Sequence, residues 1–258
     1  ERVPAMIKQM IKSTLNTLLS GFGFEVRRKT EPFYDPLRSL NYVFSDKENK
    51  ETSSNNVKIL FDVGANIGQS VSRFRRWYPN SIIHCFEPDT ETFKLLRKNT
   101  QHLKGVVLNS FGLGEKSFQS DFYRNDNSTV PGVTNSIYKT VECGPGINEK
   151  TSVKIKTLDE YVKDNEISHI DLVKIDVQGY EPMVLEGGTQ FLKSGKVKTL
   201  LIEVILNKTY EKQVSFLDLE RTLVECGFSL YDISSIKKNS ATGRTIQLDA
   251  LYVHQNYQ

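Results

Sequence analysis

From residue 57 onward the chain alternates short apolar runs with amphipathic stretches, and this rhythm admits few folds. Residues 58–63 (KILFDV), 81–86 (SIIHCF), 105–109 (GVVLN), 170–176 (IDLVKID) and 199–205 (TLLIEVI) are apolar runs of strand length. Between them lie helical patterns at 69–78, 90–99, 158–163, 181–192 and 216–226. Asp89 or Thr90, Thr157 and Ser215 stand where N-caps belong, and Gly227 stands where the last helix must stop. Residues 152–156 alternate like a strand. Strands that are apolar throughout need cover on both faces, which means a mostly parallel sheet between two helical layers. Right-handed crossovers make that sheet doubly wound. The last two strands, near 228–233 and 246–253, leave little room for a crossover helix and are expected as an antiparallel pair. The expectation is an α/β, doubly wound, mostly parallel sheet of seven strands.

The segment before residue 57 reads differently. Residues 5–22 place Met6, Met10, Leu18 and Phe22 on one apolar stripe with Lys8 and Lys12 opposite, and Gly21 and Gly23 end the pattern. A helix docked on the main domain is expected, with a peripheral membrane or partner contact as the sharper reading. Residues 45–57 (SDKENKETSSNNV) read as a polar linker. The expected division is an N-terminal helical extension with linker at 1–56 and one domain at 57–258.

Charge and cysteines exclude several classes. Residues 1–30 carry six Lys and Arg against two Glu, so of the chain's net +3 the remainder holds −1. A nearly neutral body disfavours nucleic acid as partner. Cys85, Cys143 and Cys226 are odd in number, far apart and without a CxxC. That argues against a disulfide framework or paired-cysteine zinc site and for a reducing, cytoplasmic setting. His84 lies inside a strand and is expected as a core residue; no HExxH exists, and no metal is expected.

In doubly wound sheets the ligand sits beyond the carboxyl ends of the strands. There the first strand ends in FDVGANIG, residues 61–68, where Gly64 turns the chain and Gly68 opens a helix. The next strand ends in Glu87, nineteen residues past Gly68, the place of an acid that accepts from a ribose diol. The glycines follow G-x-x-x-G rather than G-x-G-x-x-G, with Asn66 in between. Asp62, just before the turn, would repel a pyrophosphate and suits a cationic ligand such as S-adenosylmethionine. Asp176 ends the fourth strand of the main rhythm. It either caps the following loop through the backbone of Gly179 or Tyr180, or faces a reacting group. Glu181 is a candidate helix-start acid. Glu203 lies inside the apolar run LLIEV, where a charge needs a partner or a site.

Taken in order, FDVGANIGQS (61–70), FEPD (86–89), GLGE (112–115), TLDEY (157–161), LVKIDVQGYEPMVLEGG (172–188) and LLIEV (200–204) resemble the FkbM-like methyltransferases over roughly 57–254. Two positions depart from that family's pattern: Gln178 stands where Glu is usual before the glycine, and Gly112 where Ala is usual. The resemblance implies a class I, Rossmann-like methyltransferase that uses S-adenosylmethionine on a hydroxyl of a sugar, glycan or glycosylated natural product. Asp62, Gly64, Asn66 and Gly68 would then surround the methionine part and Glu87 the ribose. Asp176, and after it Glu203, would be the base. Residues 124–150, irregular and rich in Asn, Ser, Gly and Pro, are expected as an acceptor-binding loop, with Tyr123 and Tyr138 suited to carbohydrate. A nicotinamide-dependent oxidoreductase and a non-catalytic S-adenosylmethionine-binding module are the alternatives.

Overall fold

The computed structural model describes residues 36–44, 56–125, 135–139 and 148–258. The helix expected at 5–22 and nearly all of the linker at 45–57 lie outside these.

Strand order follows from the apolar runs. Seven strands form one sheet in the order β3 (Val106–Asn109), β2 (Ile82–Phe86), β1 (Ile59–Val63), β7 (Ile170–Ile175), β8 (Val197–Ile205), β10 (Thr245–His254) and β9 (Phe228–Lys238). Pairings from β3 to β8 are parallel; β10 runs antiparallel to both β8 and β9, as the short connection between them requires. Alternate residues of each strand enter opposite cores. Leu60, Leu172, Leu201 and Leu251 pack with helices α1 (Pro36–Phe44), α2 (Gln69–Trp77) and α3 (Thr90–Thr100). Phe61, Val173, Leu200 and Tyr252 pack with α4 (Leu158–Asp164), α5 (Glu181–Glu186), α6 (Thr189–Lys193) and α7 (Phe216–Glu225). The sheet is therefore doubly wound and seven-stranded, as expected.

Local signals were sound where a cap or glycine carried them. Asp89 accepts from Thr92 N, Thr157 and Glu160 form a capping box, and Gly227 takes φ 85. Three expectations need correction. The compact unit begins at residue 36, not 57, because Leu37, Leu40 and Phe44 of α1 are buried in the core. The helix expected at 181–192 is two helices, broken at Gly187 and Gly188. A Cβ at Gly187 would lie 1.9 Å from Gly114 O, so the chain must stay bare there to pass that backbone.

The third correction concerns the two ends of residues 124–150, of which 126–134 and 140–147 lie outside the described residues. Much of that neighbourhood is sheet: β5 (Phe118–Asn125) pairs antiparallel with β6 (Asn148–Lys156), and β6 pairs with β4 (Gly112–Leu113). Ser120 and Phe122 alternate inward along β5, a short period that the Asn, Ser and Gly content downstream obscured. Residues 135–139 are fastened to this second sheet. Tyr123 N and Ser136 N each donate to the other's carbonyl, at 2.8 and 3.1 Å.

Candidate active site

β1 and β7 are the switch point of the sheet: the chain leaving β1 enters α2 on one face and the chain leaving β7 enters α5 on the other. Gly64 lets the turn after β1 lie against β7: its φ is 80, and a Cβ on it would stand 2.0 Å from Asp176 O. Above this point a cavity of about 400 Å³ opens, with walls from the β1 turn, the end of β2, the β7–α5 loop, β8 and the far ends of β9 and β10.

One wall is held by main chain. Asn66 sits at φ 48, which turns its N–H onto Glu87 Oε2 at 3.0 Å, while Asp89 N donates to Oε1 at 2.9 Å. Glu87 is 6% exposed, and burial pushes its pKa up to about 8 against the pull of those two amides. Asn66 Oδ1 is buried and has no hydrogen-bond partner among the described residues. An orphaned polar atom costs free energy unless a ligand or water meets it. The wall fits the cofactor that the resemblance implies: Gly64, Asn66 and an acid held at the end of β2 line a space of ligand size.

The opposite wall is held by side chains. Lys174 Nζ lies 3.1 Å from Asp176 Oδ2 and 3.6 Å from Asp62 Oδ1. Gln178, at φ 56, donates Nε2 to Asp176 Oδ1 at 3.1 Å and to Glu203 Oε2 at 2.7 Å. Its own Oε1 accepts from the Tyr210 hydroxyl at 2.7 Å. Gln247 Nε2 donates to Glu203 Oε1. Burial raises the Glu203 pKa well above the usual range, and the charges of Asp176 and Glu181 add to this. Burial acts the same way on Asp176, but Lys174 and the Gln178 bond outweigh it and hold that carboxyl below its ordinary value. For Lys174, burial would remove the charge; Asp176 and Asp62 reverse this and keep it an ammonium. The two acids therefore titrate as a unit, with the negative charge on Asp176 and the proton on Glu203.

The remaining expected residues fall elsewhere. Asp62 is fully buried and does not line the cavity. On β1 its side chain faces the core of α1–α3, and its ion partner is Lys174. Burial lifts its pKa to about 6, against the Lys174 charge. Gly68 does not line the cavity either: at φ 96 it opens α2, and a Cβ there would press on Thr100 and Leu96 of α3. Asp176 does not cap the loop. Glu181 does so, its Oε1 accepting from Val177 N and Gly179 N at 3.1 Å each. Tyr123 and Tyr138 are absent from the lining, which takes Phe122, Asn135 and Ile137 from that region. His84 is a core residue: Nδ1 meets the Tyr161 hydroxyl at 2.8 Å, and burial lowers its pKa to about 4.

Sequence reasoning missed Lys174, Tyr210, Lys237 and Gln247. Lys174 had a signal: a charge inside an apolar strand, two residues before Asp176 and so on its face. The other three come together only through the fold.

Against known proteins, the methyltransferase FkbM domain matches residues 62–230. A hexuronic acid methyltransferase, AglP, of Haloferax volcanii is 30% identical over 149 residues, 57% of this chain and 55% of that protein. A 2-O-methyltransferase, NoeI, of Sinorhizobium fredii is 27% identical over 168 residues, 60% of this chain and 67% of that one. The chain thus spans little more than half of the first relative's length. Among solved structures, a fibrillarin pre-rRNA processing protein of Methanococcus jannaschii aligns with a TM-score of 0.47 and 12% identity, over 87% of this chain and 76% of that one. The match over 62–230 spans most of the chain and covers Glu87, Asp176 and Glu203: the chain belongs to the FkbM-domain family of S-adenosylmethionine-dependent methyltransferases.

Proposed function

We propose that the protein methylates a hydroxyl oxygen of a sugar, glycan or glycosylated natural product. The observation that carries this is one cavity with Glu87 held on one wall and the Asp176–Glu203 pair on another. The similarity to a hexuronic acid methyltransferase and a 2-O-methyltransferase supports a sugar acceptor. Family membership argues against the nicotinamide-dependent alternative.

When bound, S-adenosylmethionine supplies a methyl group on a good leaving group, so the protein's task is mainly alignment. Glu87 would hold the cofactor's ribose, beside Asn66, and Gly64 would leave room for its close approach. Asp62 acts at one remove, by sharing Lys174 with Asp176. Asp176 stays ionised and accepts the hydrogen bond of the acceptor hydroxyl, which points the oxygen along the line of transfer. Glu203 and Gln178 fix where that carboxylate stands. Asp176 is also the group placed to take the hydroxyl's proton. Orientation of this kind is worth on the order of 7–11 kcal/mol of barrier, and a placed base adds about 10²–10⁴-fold.

The test is transfer of labelled methyl from S-adenosylmethionine to a panel of sugar-bearing acceptors. Cofactor binding with no transfer to any hydroxyl would favour the non-catalytic module instead. A cytoplasmic setting belongs to the same proposal, supported by Cys85 and Cys226 as buried free thiols.

A further inference from the structure

Strand β9 is irregular where it reaches the cavity. Ser234 pairs with Asp249 and Lys237 with Gln247, so Ser235 and Ile236 stand against Leu248 alone. Ser235 takes φ 50, a region that a residue with a Cβ enters at a cost. The extra residue reverses the alternation of the strand. In an even strand residues 234 and 236 would share a face and 237 would point away. The bulge gives Lys237 the face that Ile236 would have had, and Ile236 is left 54% exposed. Lys237 thereby joins the cavity wall, its Nζ donating to Gln247 Oε1 at 3.1 Å.

Lys237 is exposed at the mouth of the cavity and makes no ion pair with a described residue. Lys174, the other cation of the cavity, is taken by Asp62 and Asp176. Glu203 takes its hydrogen bonds from Gln178 and Gln247; burial raises its pKa, against the pull of the Lys174 and Lys237 charges. No carboxylate lies within 4 Å of the Lys237 ammonium among the described residues. In strand order β9 is also the far edge from β2, which ends just before Glu87, so Lys237 belongs to the acceptor's side of the cavity.

We propose that the bulge exists to deliver Lys237 as an acceptor-recognition residue, which pairs with a carboxylate on the substrate and makes acid-bearing sugars the preferred acceptors. This rests on the methyl-transfer reading above and narrows it. The acid is bound, not methylated: a carboxylate engaged by the ammonium is held away from the Asp176 side, where a hydroxyl is oriented.

The test uses the full chain with two matched probes, 4-nitrophenyl β-glucuronide and 4-nitrophenyl β-glucoside. Binding of each is measured by calorimetry with S-adenosylhomocysteine present, and methyl transfer from labelled S-adenosylmethionine is measured separately. The glucuronide should bind about 10-fold tighter or more, the scale of one charge-assisted bond. Lys237→Gln should erase that preference and Lys237→Arg should keep it, with cofactor affinity unchanged in both. Equal binding of the two probes, or a preference that survives in Lys237→Gln, overturns the proposal. So does label recovered as a base-labile methyl ester, which would put the acid at the reacting position. Preferential binding that depends on Lys237, with no methyl transfer, would uphold this proposal and sink the enzymatic reading.

Discussion

Glu87 and Glu203 invite comparison: both are acids near strand ends, both are more than nine-tenths buried, and both sit above the usual carboxylate range. They are held by different means. Glu87 accepts from two backbone amides that its own neighbourhood supplies, Asn66 across the β1 turn and Asp89 two residues on. Glu203 accepts from two glutamine side chains, one from the β7–α5 loop and one from β10, and a tyrosine from a third segment orients the first of them. A wall built from main chain tolerates many sequences as long as the turn keeps its dihedrals. A wall built from side chains changes with any one of its members. The cofactor end is thus the part that relatives can share, and the acceptor end the part in which they can differ.

The sharpest way to break this division is at Gly64, where the two walls touch. Gly64→Ala places a Cβ on Asp176 O in a left-handed turn; we expect a loss of about 3 kcal/mol or more in stability, seen in denaturant unfolding, with both cofactor affinity and transfer lost. Asp176→Asn should confine its damage to one wall. Transfer should fall about 10²-fold or more with cofactor affinity intact, by single-turnover kinetics and calorimetry. A rate within a few-fold of the parent would move the proton's destination to Glu203. Glu87→Ala should do the converse and weaken cofactor binding about 10-fold, the scale of one lost hydrogen bond.

A pH experiment sharpens the comparison without chemistry. Glu87 holds its proton up to about pH 8 in the fold, against an ordinary value of 4.5. A raised carboxylate stabilises the folded chain fully below the unfolded value and loses that contribution as pH rises through the folded one. Asp62, at about 6, and Glu181, at about 7, act in the same direction. The Tm of the cofactor-free protein should therefore fall between pH 4.5 and 8, and Glu87→Gln should flatten that fall. An identical slope in the variant would show that Glu87 is ionised as freely as in solution. The smallest effect is expected from Tyr210→Phe, which frees Gln178 Oε1. Transfer should slow by about 3- to 10-fold while cofactor affinity holds.

The same division decides what could be read from the sequence. Glu87, Gly64 and Asp176 were legible because each stands at the end of an apolar run, and a strand end is a local fact. Asp62 stood at such an end too, but its role depends on which face of β1 it takes, and that phase is set by packing against α1–α3 and by Lys174. Gln178 was recognised as a departure, yet its two carboxylate partners belong to a network of segments that meet only in three dimensions. Lys237 was hidden more deeply, since a one-residue bulge inverts the alternation from which its direction would be inferred. Strand β5 was lost for another reason: two inward residues, Ser120 and Phe122, are too short a pattern to stand out beside a polar stretch.

Ser136 joins more than the second sheet. Its hydroxyl donates to Gln178 O at 2.8 Å, and three residues later Lys139 O accepts from Glu211 N at 3.0 Å. Residues 135–139 are therefore riveted on both sides, to the loop that carries Asp176 and to the segment that carries Tyr210. Asn135 and Ile137 are thereby held in place in the cavity's lining. A push on residues 135–139 is therefore felt by the loop that carries Asp176 and by the segment that carries Tyr210.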